Sequence, residues 1–416
     1  MRELHLKKWV LSNGIRCISA MLPNTSLTCI DFWCKAGSSF EQPGEEGIAH
    51  FLEHMIFKGS KNNQAGFFDK EIEALGGNSN AATGFDDVHY HVLVPSEFVT
   101  RALELLIDLV LNPALRELDY KNELDVVLEE IAQHEDQPEE KCFQSLLETC
   151  WANHSYGRPI LGLKNSLTKS SPKSMKDFHQ RMYNSENICI SIAGSIPEGI
   201  EYIIEESIRM FQTNNDHKQH KIIKEIPKFK IERKEISIPR LESSRLLIAW
   251  HSEAANSQKI NLGSEIATSI MAEGRNSRLV NKLREDLQIV EYIDMELTTL
   301  EQAGLTIIEA ICNEKHLNNV EDVIYSSLDD ITNKIIKTNE IKKAKKQVTN
   351  SYCFGFETPA QISSGIGNNI LWERDEDPLK QLNYINYWNE ENLKNEIFSN
   401  LKSNKSTSII ARPDKT

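Results

Sequence analysis

The stretch His50-Phe51-Leu52-Glu53-His54 decides how this chain is read. Four residues make slightly more than one helical turn, so histidines at i and i+4 share a face and can grip one metal ion. Glu53 stands three residues after His50 on that face, near enough to act on a water held by the ion. With 12 histidines in 416 residues, chance supplies roughly 0.03 matches to His-x-x-Glu-His per chain. A surface helix with two solvated histidines is therefore the weaker alternative. The flanking Ile48, Ala49, Leu52, Met55 and Ile56 are apolar, which predicts a buried helix whose polar residues need partners.

Zinc at a catalytic site takes three protein ligands and leaves a fourth position open. The best source of a third ligand is the segment 120–136, which reads as a helix with Leu124, Val127, Leu128 and Ile131 as its core stripe. At about 100° per residue, Glu130 lies roughly 110° from the centre of that stripe and Glu129 roughly 150° away. Glu130 suits a half-buried position, and Glu123, two turns earlier, lies on its side. Without the histidine pair, each of these carboxylates would be read as part of a solvated helix face.

The histidine motif followed by Glu130 resembles the pitrilysin-type (inverzincin) zinc metallopeptidases, the family of the mitochondrial processing peptidase. In that family the third ligand lies 76 residues beyond the second motif histidine, which is Glu130 here. The resemblance spans nearly the whole chain. Leu11-Ser-Asn-Gly14 is similar to the opening strand and turn, and Ala36-Gly-Ser-Ser-Phe-Glu41 to the approach to the metal helix. Gly76-Gly-Asn-Ser-Asn80-Ala81-Ala-Thr83 is similar to the substrate-binding edge strand, with Asn80 and Ala81 as its contact positions. His154-Ser-Tyr-Gly157 and Ile192-Ala-Gly194 resemble later landmarks of the first half. Ser277-Arg-Leu279 and Leu283-Arg284-Glu285 resemble the segment that carries an arginine and, seven residues on, a tyrosine reaching toward substrate. Arg284 fits the arginine, but Glu291 stands at the tyrosine position and Tyr292 one place late. In a strand that shift turns the side chain to the other face unless a bulge restores it. Read without the resemblance, Arg284 is a helix-surface residue paired with a neighbouring carboxylate.

The resemblance implies an α+β fold of two related halves, each with helices packed on a mostly antiparallel sheet. Alternating β-rich and helical runs agree: strands in 17–34, 88–94, 235–251 and 305–312, helices in 98–111, 118–136, 277–287 and 319–336. Residues 1–212 form the metal-bearing domain and 213–228, rich in Asn, Lys, Gln and His, a surface linker. Residues 229–416 form a related domain without the metal motif. Its only histidines, His251 and His316, stand too far apart to rebuild it.

Composition narrows the function classes. A net charge of −14 argues against nucleic acid or an anionic membrane as partner. The segment 9–18 is too short and polar to span a membrane or to direct secretion. Eight scattered cysteines without a Cys-x-x-Cys pair read as reduced core residues of a cytoplasmic protein. His89 and His91 alternate at strand spacing on one face, and no carboxylate or cysteine is fixed by the sequence to complete a site with them, so they read as satisfied or solvated strand histidines rather than metal ligands. The acidic run Glu135, Asp136, Glu139 and Glu140 reads as a solvated helix end. No phosphate loop, dinucleotide fingerprint or serine elbow occurs.

The expected activity is a zinc endopeptidase holding one Zn2+ per chain on His50, His54 and Glu130, with Glu53 as the general base and proton shuttle. Glu123 supports a ligand or a substrate amine. Asn80 and Ala81 bind an extended peptide as an added strand, and Arg284 and Tyr292 reach toward it. A peptide chamber in this family takes two double-domain units, so the expected partner is a related chain in a heterodimer. A second copy of this chain is the alternative. A non-catalytic subunit and a zinc hydrolase of non-peptide substrates are the competing function classes.

Overall fold

The computed structural model describes residues 4–211, 226–375 and 377–414. Of the expected linker, all but 226–228 lies outside the described residues. The first sheet contains β1 (His5–Val10), β2 (Arg16–Met21), β3 (Leu27–Cys34), β4 (Asn78–Thr83), β5 (Val88–Pro95) and β6 (Ile188–Gly194) in the order β1-β2-β6-β3-β5-β4. The second contains β7 (Arg233–Ile238), β8 (Ser244–Ser252), β9 (Tyr292–Thr299), β10 (Gly304–Cys312) and β11 (Ser406–Pro413) in the order β7-β11-β8-β10-β9. Each sheet has a single parallel pair, β2 with β6 and β7 with β11, and its other pairs are antiparallel. Removing β1 leaves two sheets of identical order and sense. The two related halves that the resemblance implies are therefore plain in the pairing.

The helices of the first half are α1 (Ile48–Ile56), α2 (Phe67–Ala74), α3 (Val99–Leu111), α4 (Glu117–Asp136), α5 (Pro138–Cys150), α6 (Lys164–Leu167), α7 (Pro172–Met182) and α8 (Ile200–Phe211). Those of the second half are α9 (Gln258–Ala272), α10 (Leu317–Asn333), α11 (Thr338–Phe354) and α12 (Pro359–Leu371). The runs expected at 88–94, 98–111, 118–136, 305–312 and 319–336 are single elements, 17–34 and 235–251 each hold two strands joined by a turn, and 277–287 holds a π-helical turn at Val280–Asp286; periodicity does not mark the other elements.

The division into domains is not linear. One compact unit holds the described residues within Met1–Ile131, Pro159–Ile223 and Cys353–Pro378; the other holds those within Ala132–Arg158, Lys224–Tyr352 and Leu379–Thr416. The boundary falls inside α4 and again near the end of α11. Each unit therefore owns one helix that the other half of the sequence encodes, and the reason is apolar burial.

In the first unit, Val88, Tyr90, Val92 and Val94 of β5 face a core shared with α1, α3, α7 and α8. The opposite face carries Ile18, Ala20, Trp33, Cys189 and Ala193, and α12 covers it with Ile362, Ile366, Ile370 and Leu371. Each isoleucine so buried contributes roughly 1.5–3 kcal/mol. Trp372 Nε1 and Asn368 Nδ2 then donate to Asp87 Oδ2 at 2.7 and 3.1 Å. In the second unit α5 plays the same part. Its Leu146, Cys142 and Cys150 are buried, and Glu139 accepts from Arg245 of β8 at 2.6 Å while remaining exposed, so the acidic run is solvated and in part also paired.

Two predictions follow from this packing. A Cβ on Gly367 of α12 would stand 2.4 Å from Ser191 Oγ and 2.6 Å from Trp33 Nε1. Gly367→Ala should therefore cost about 1–3 kcal/mol, read as a lower urea midpoint with an unchanged slope; an unchanged midpoint would contradict this packing. The second prediction concerns His179 of α7, whose Nε2–H donates to the Val110 carbonyl at 2.8 Å. Burial, aided by Lys61, holds this imidazole down to about 4 despite that hydrogen bond. The unfolded chain's histidine titrates near 6.5, so it binds more protons than the folded state between about 6.5 and 4. Stability should fall through that window by about 3 kcal/mol and level off below it. His179→Gln should remove that part of the slope in melts recorded from pH 7 to 4.

Candidate metal centre

The centre begins with the way α1 is held. Glu41, itself 7% exposed, accepts from the backbone N–H of Gly47 and Ala49 at 3.0 Å each. It thereby satisfies donors that a helix start leaves without intrahelical partners. Gly47 has φ +97°, and a Cβ there would meet Leu161 O at 2.7 Å, so only glycine fits this entry. Seven of the nine α1 residues are buried, His50 among them.

Three potential ligand side chains converge across α1 and α4. His54 Nε2 lies 3.4 Å from Glu130 Oε2 and His50 Nε2 lies 3.8 Å from the same oxygen. One potential ligand atom from each of the three residues falls within 4.8 Å of the others. Ligands about 2.1 Å from a shared zinc in tetrahedral geometry stand about 3.4 Å apart, so the spacing fits with little adjustment. Burial, then the charge of His54, pushes the His50 imidazole down to about 4, which keeps it in the neutral form that a ligand requires. The Glu130 side chain is 42% exposed, leaving a solvent-facing side to the cluster.

Glu123 is not the solvated carboxylate that its sequence alone allows. It is 6% exposed, and its Oε1 lies 2.9 Å from His54 Nδ1 while Oε2 takes Lys58 Nζ at 2.6 Å. A carboxylate on Nδ1 fixes the ring so that Nε2 faces Glu130. Lys58 was not singled out from sequence, although it stands one turn after His54 on the same face. Glu53 accepts a hydrogen bond from Thr83 Oγ1. Burial raises its pKa, with Glu130 adding to the rise and Thr83, His54 and His89 opposing it.

Thr83 ends β4, the edge strand of its sheet, so the strand reading of 78–83 holds and the turn is confined to Gly76, at φ +73°. Asn80 is exposed and Ala81 half-buried. Asn80 Oδ1 accepts from the Ala81 N–H at 2.9 Å.

Arg284 and Tyr292 belong to the second unit. Arg284 sits in a π-helical turn, Val280–Asp286, and pairs with Glu285 at 3.2 Å, which is the surface ion pair expected of it without the resemblance. Tyr292, 43% exposed, opens β9 opposite Ile311. β9 pairs with β10 without interruption, so no bulge displaces Tyr292. The irregularity lies in the preceding turn, where Leu287 N–H reaches Lys282 O and Ile289 N–H reaches Leu283 O. Glu291 is tied aside, accepting from Ser243 Oγ at 2.8 Å.

His89 is a satisfied strand histidine, its Nδ1 3.0 Å from Asp31 Oδ1, and Asp31 is the carboxylate that the sequence did not fix beside the pair. The strand pairing sets Asp31 of β3 opposite His91, and the three residues form a second cluster with ligand atoms within 4.8 Å of one another. Asp31 is distant in sequence, so only the β3–β5 register brings it there.

Residues 16–164 match the family model for insulinase (peptidase family M16), and residues 169–348 match the peptidase M16 inactive domain. The chain belongs to peptidase family M16. It is 28% identical to an uncharacterized zinc protease of Rickettsia bellii, covering 86% of each chain. It is 25% identical to the uncharacterized zinc protease YmxG of Bacillus subtilis, covering 95% of this chain and 96% of that one. Among solved structures it is similar to a protease from Helicobacter pylori, with a TM-score of 0.90, 20% identity and coverage of 99% and 100%. The M16 inactive-domain match accords with the second unit, since both clusters of potential metal ligands found among the described residues lie in the first.

Proposed function

We propose that this M16 chain is a zinc-dependent endopeptidase that cleaves extended peptides or flexible protein segments. The observation that carries the reading is the convergence of His50, His54 and Glu130 beside Glu53, whose carboxylate is bonded to the end of the edge strand β4. Zinc, when bound, supplies Lewis acidity for the scissile carbonyl and for water. His50 and His54, whose Nε2 atoms face Glu130, and a carboxylate oxygen of Glu130 would hold it. Glu123 fixes the His54 ring, and Lys58 balances its charge. Glu53 takes a proton at its carboxylate during attack on the scissile carbonyl and delivers it to the leaving nitrogen. Its raised pKa suits both halves of that transfer.

Substrate grip comes from β4. Among the described residues no strand lies beside its outer edge, and an extended peptide can add there through main-chain hydrogen bonds with little sequence selectivity. The Asn80 amide must swing off the Ala81 N–H to admit it. The eight cysteines are free thiols, seven of them buried, which agrees with work in a reducing cytoplasm.

The working form pairs this chain with a second M16 chain, and Arg284 and Tyr292 of that partner's equivalent region reach toward substrate. One π turn accommodates one extra residue in a helix, which accounts for a tyrosine eight rather than seven residues after Arg284. That observation favours a homodimer over a heterodimer with a chain bearing an unshifted pair.

Metal analysis with a quenched fluorescent peptide tests the site. His50→Ala, His54→Ala and Glu130→Ala should each lose one equivalent of zinc and the activity. Glu123→Gln should weaken zinc binding about 10–100-fold. Glu53→Gln should keep the zinc and lose about 10²–10⁴-fold in turnover; full activity in that variant would refute the assignment. Light scattering and peptide assays on the chain alone address the assembly. The expected result is an active dimer that Tyr292→Phe impairs at least tenfold, whereas activity only on co-expression with a related chain would establish the heterodimer.

A further inference from the structure

Asp31, His89 and His91 have no part in the reaction proposed above. They lie on the sheet face that α12 partly covers, opposite the face of β5 whose Val88, Tyr90, Val92 and Val94 enter the core with α1. Asp31 is 1% exposed, and a carboxylate so deeply buried needs cationic or hydrogen-bonding partners. His89 gives it one, with Nδ1 3.0 Å from Asp31 Oδ1. The His89 ring is stacked on Trp33 at 4.2 Å between centroids and on His91 at 5.6 Å. These contacts leave it little rotational freedom. His91 is different: its Nδ1 is buried and has no hydrogen-bond partner among the described residues. Buried polar atoms are nearly always paired, and an orphan calls for an ion or a water. Ligand atoms from all three residues already stand within 4.8 Å of one another.

The geometry points to a second divalent-cation site, formed by Asp31, His89 and His91. Two imidazoles and one carboxylate suit borderline transition metals such as Zn2+, Co2+ and Ni2+. Mg2+ and Ca2+ prefer six or more oxygen donors and are excluded by that donor set. Binding draws the ligand atoms from within 4.8 Å toward the separation of about 3.4 Å that a shared ion imposes. Asp31 then exchanges its hydrogen bond from His89 for the cation, and His91 gains the partner it lacks. His89 and His91 are only half-buried, so the ion can enter from solvent without unfolding the sheet. The strand register sets Asn80 of the edge strand β4 directly opposite His91, which places the site beside the substrate edge. This inference uses none of the roles assigned to Glu53 or Glu130, and it stands or falls separately from the peptidase reading.

The test is equilibrium dialysis of the full chain against Zn2+ or Co2+, with metal counted per chain. Two equivalents are expected at saturation, one held by His50, His54 and Glu130 and one by the new site. His91→Ala and His89→Asn should each remove one equivalent while leaving the other. In His50→Ala the remaining Co2+ should keep its visible absorption and raise the melting temperature, and adding His91→Ala should abolish both effects. Melts of the metal-free variants report whether folding is intact; near-native values are expected, because an asparagine amide at 89 can still donate to Asp31 and the His91 Nδ1 has no partner among the described residues to lose. A wild-type metal count that neither His91→Ala nor His89→Asn lowers overturns the proposal, whatever the occupancy of the His50, His54 and Glu130 centre.

Discussion

A helix with seven of its nine residues buried cannot carry two histidines and a glutamate unless each finds a partner close by, and α1 is such a helix. Its start is secured by Glu41, which takes two backbone N–H groups that would otherwise be buried without acceptors. Its polar face is secured by α4, which sends Glu123 to His54 Nδ1 and Glu130 toward both Nε2 atoms. Its remaining carboxylate, Glu53, is held by Thr83. Three elements separate in sequence thus meet at one helix. The cost of burying its polar groups makes their arrangement a condition of folding as well as a possible source of chemistry.

The second half repeats the plan with other residues. α9 follows β8 as α1 follows β3, and α11 occupies the place of α4 in the order of elements. Where α1 and α4 meet through histidines and carboxylates, α9 and α11 meet through Glu265 and Tyr352, whose hydroxyl donates at 2.8 Å. Burial pushes Glu265 up to about 7, so much of it is a neutral acid at neutral pH, well suited to one hydrogen bond. The same helix contact is satisfied by a neutral pair in one unit and by a donor set that fits a cation in the other. The match of this region to the M16 inactive domain has its physical counterpart there.

The exchange of α5 and α12 between units explains why a linear division of the chain fails. α12 is amphipathic in the ordinary way, and nothing in its own residues says which sheet it covers. Trp33, Ser191 and the small Gly367 decide that, because only the absence of a side chain at 367 lets the helix backbone approach so closely. The same is true of the π turn at Val280–Asp286. Its residues read as a helix, and the additional residue is apparent only from hydrogen bonds that reach five and six positions back.

Local chemistry was legible in the amino-acid sequence by itself. The i, i+4 histidines, the apolar flanks of α1 and the strand and helix periods all follow from the repeat lengths of regular structure. Glu130 as the half-buried neighbour of the core stripe on α4 follows from the same geometry, and the structure leaves it half-buried with Glu129 exposed. Tertiary structure decided everything that depends on which distant residues meet. Glu123 became a buried partner of His54 because α4 packs across α1. Asp31 joined His89 and His91 because β3 pairs with β5 in one register. The compact units took their shape because each sheet recruits a covering helix from the other half of the chain. Periodicity reports which face of an element is apolar; it carries no information on the element that will cover that face, since burial is non-directional and partner choice rests on shape and register.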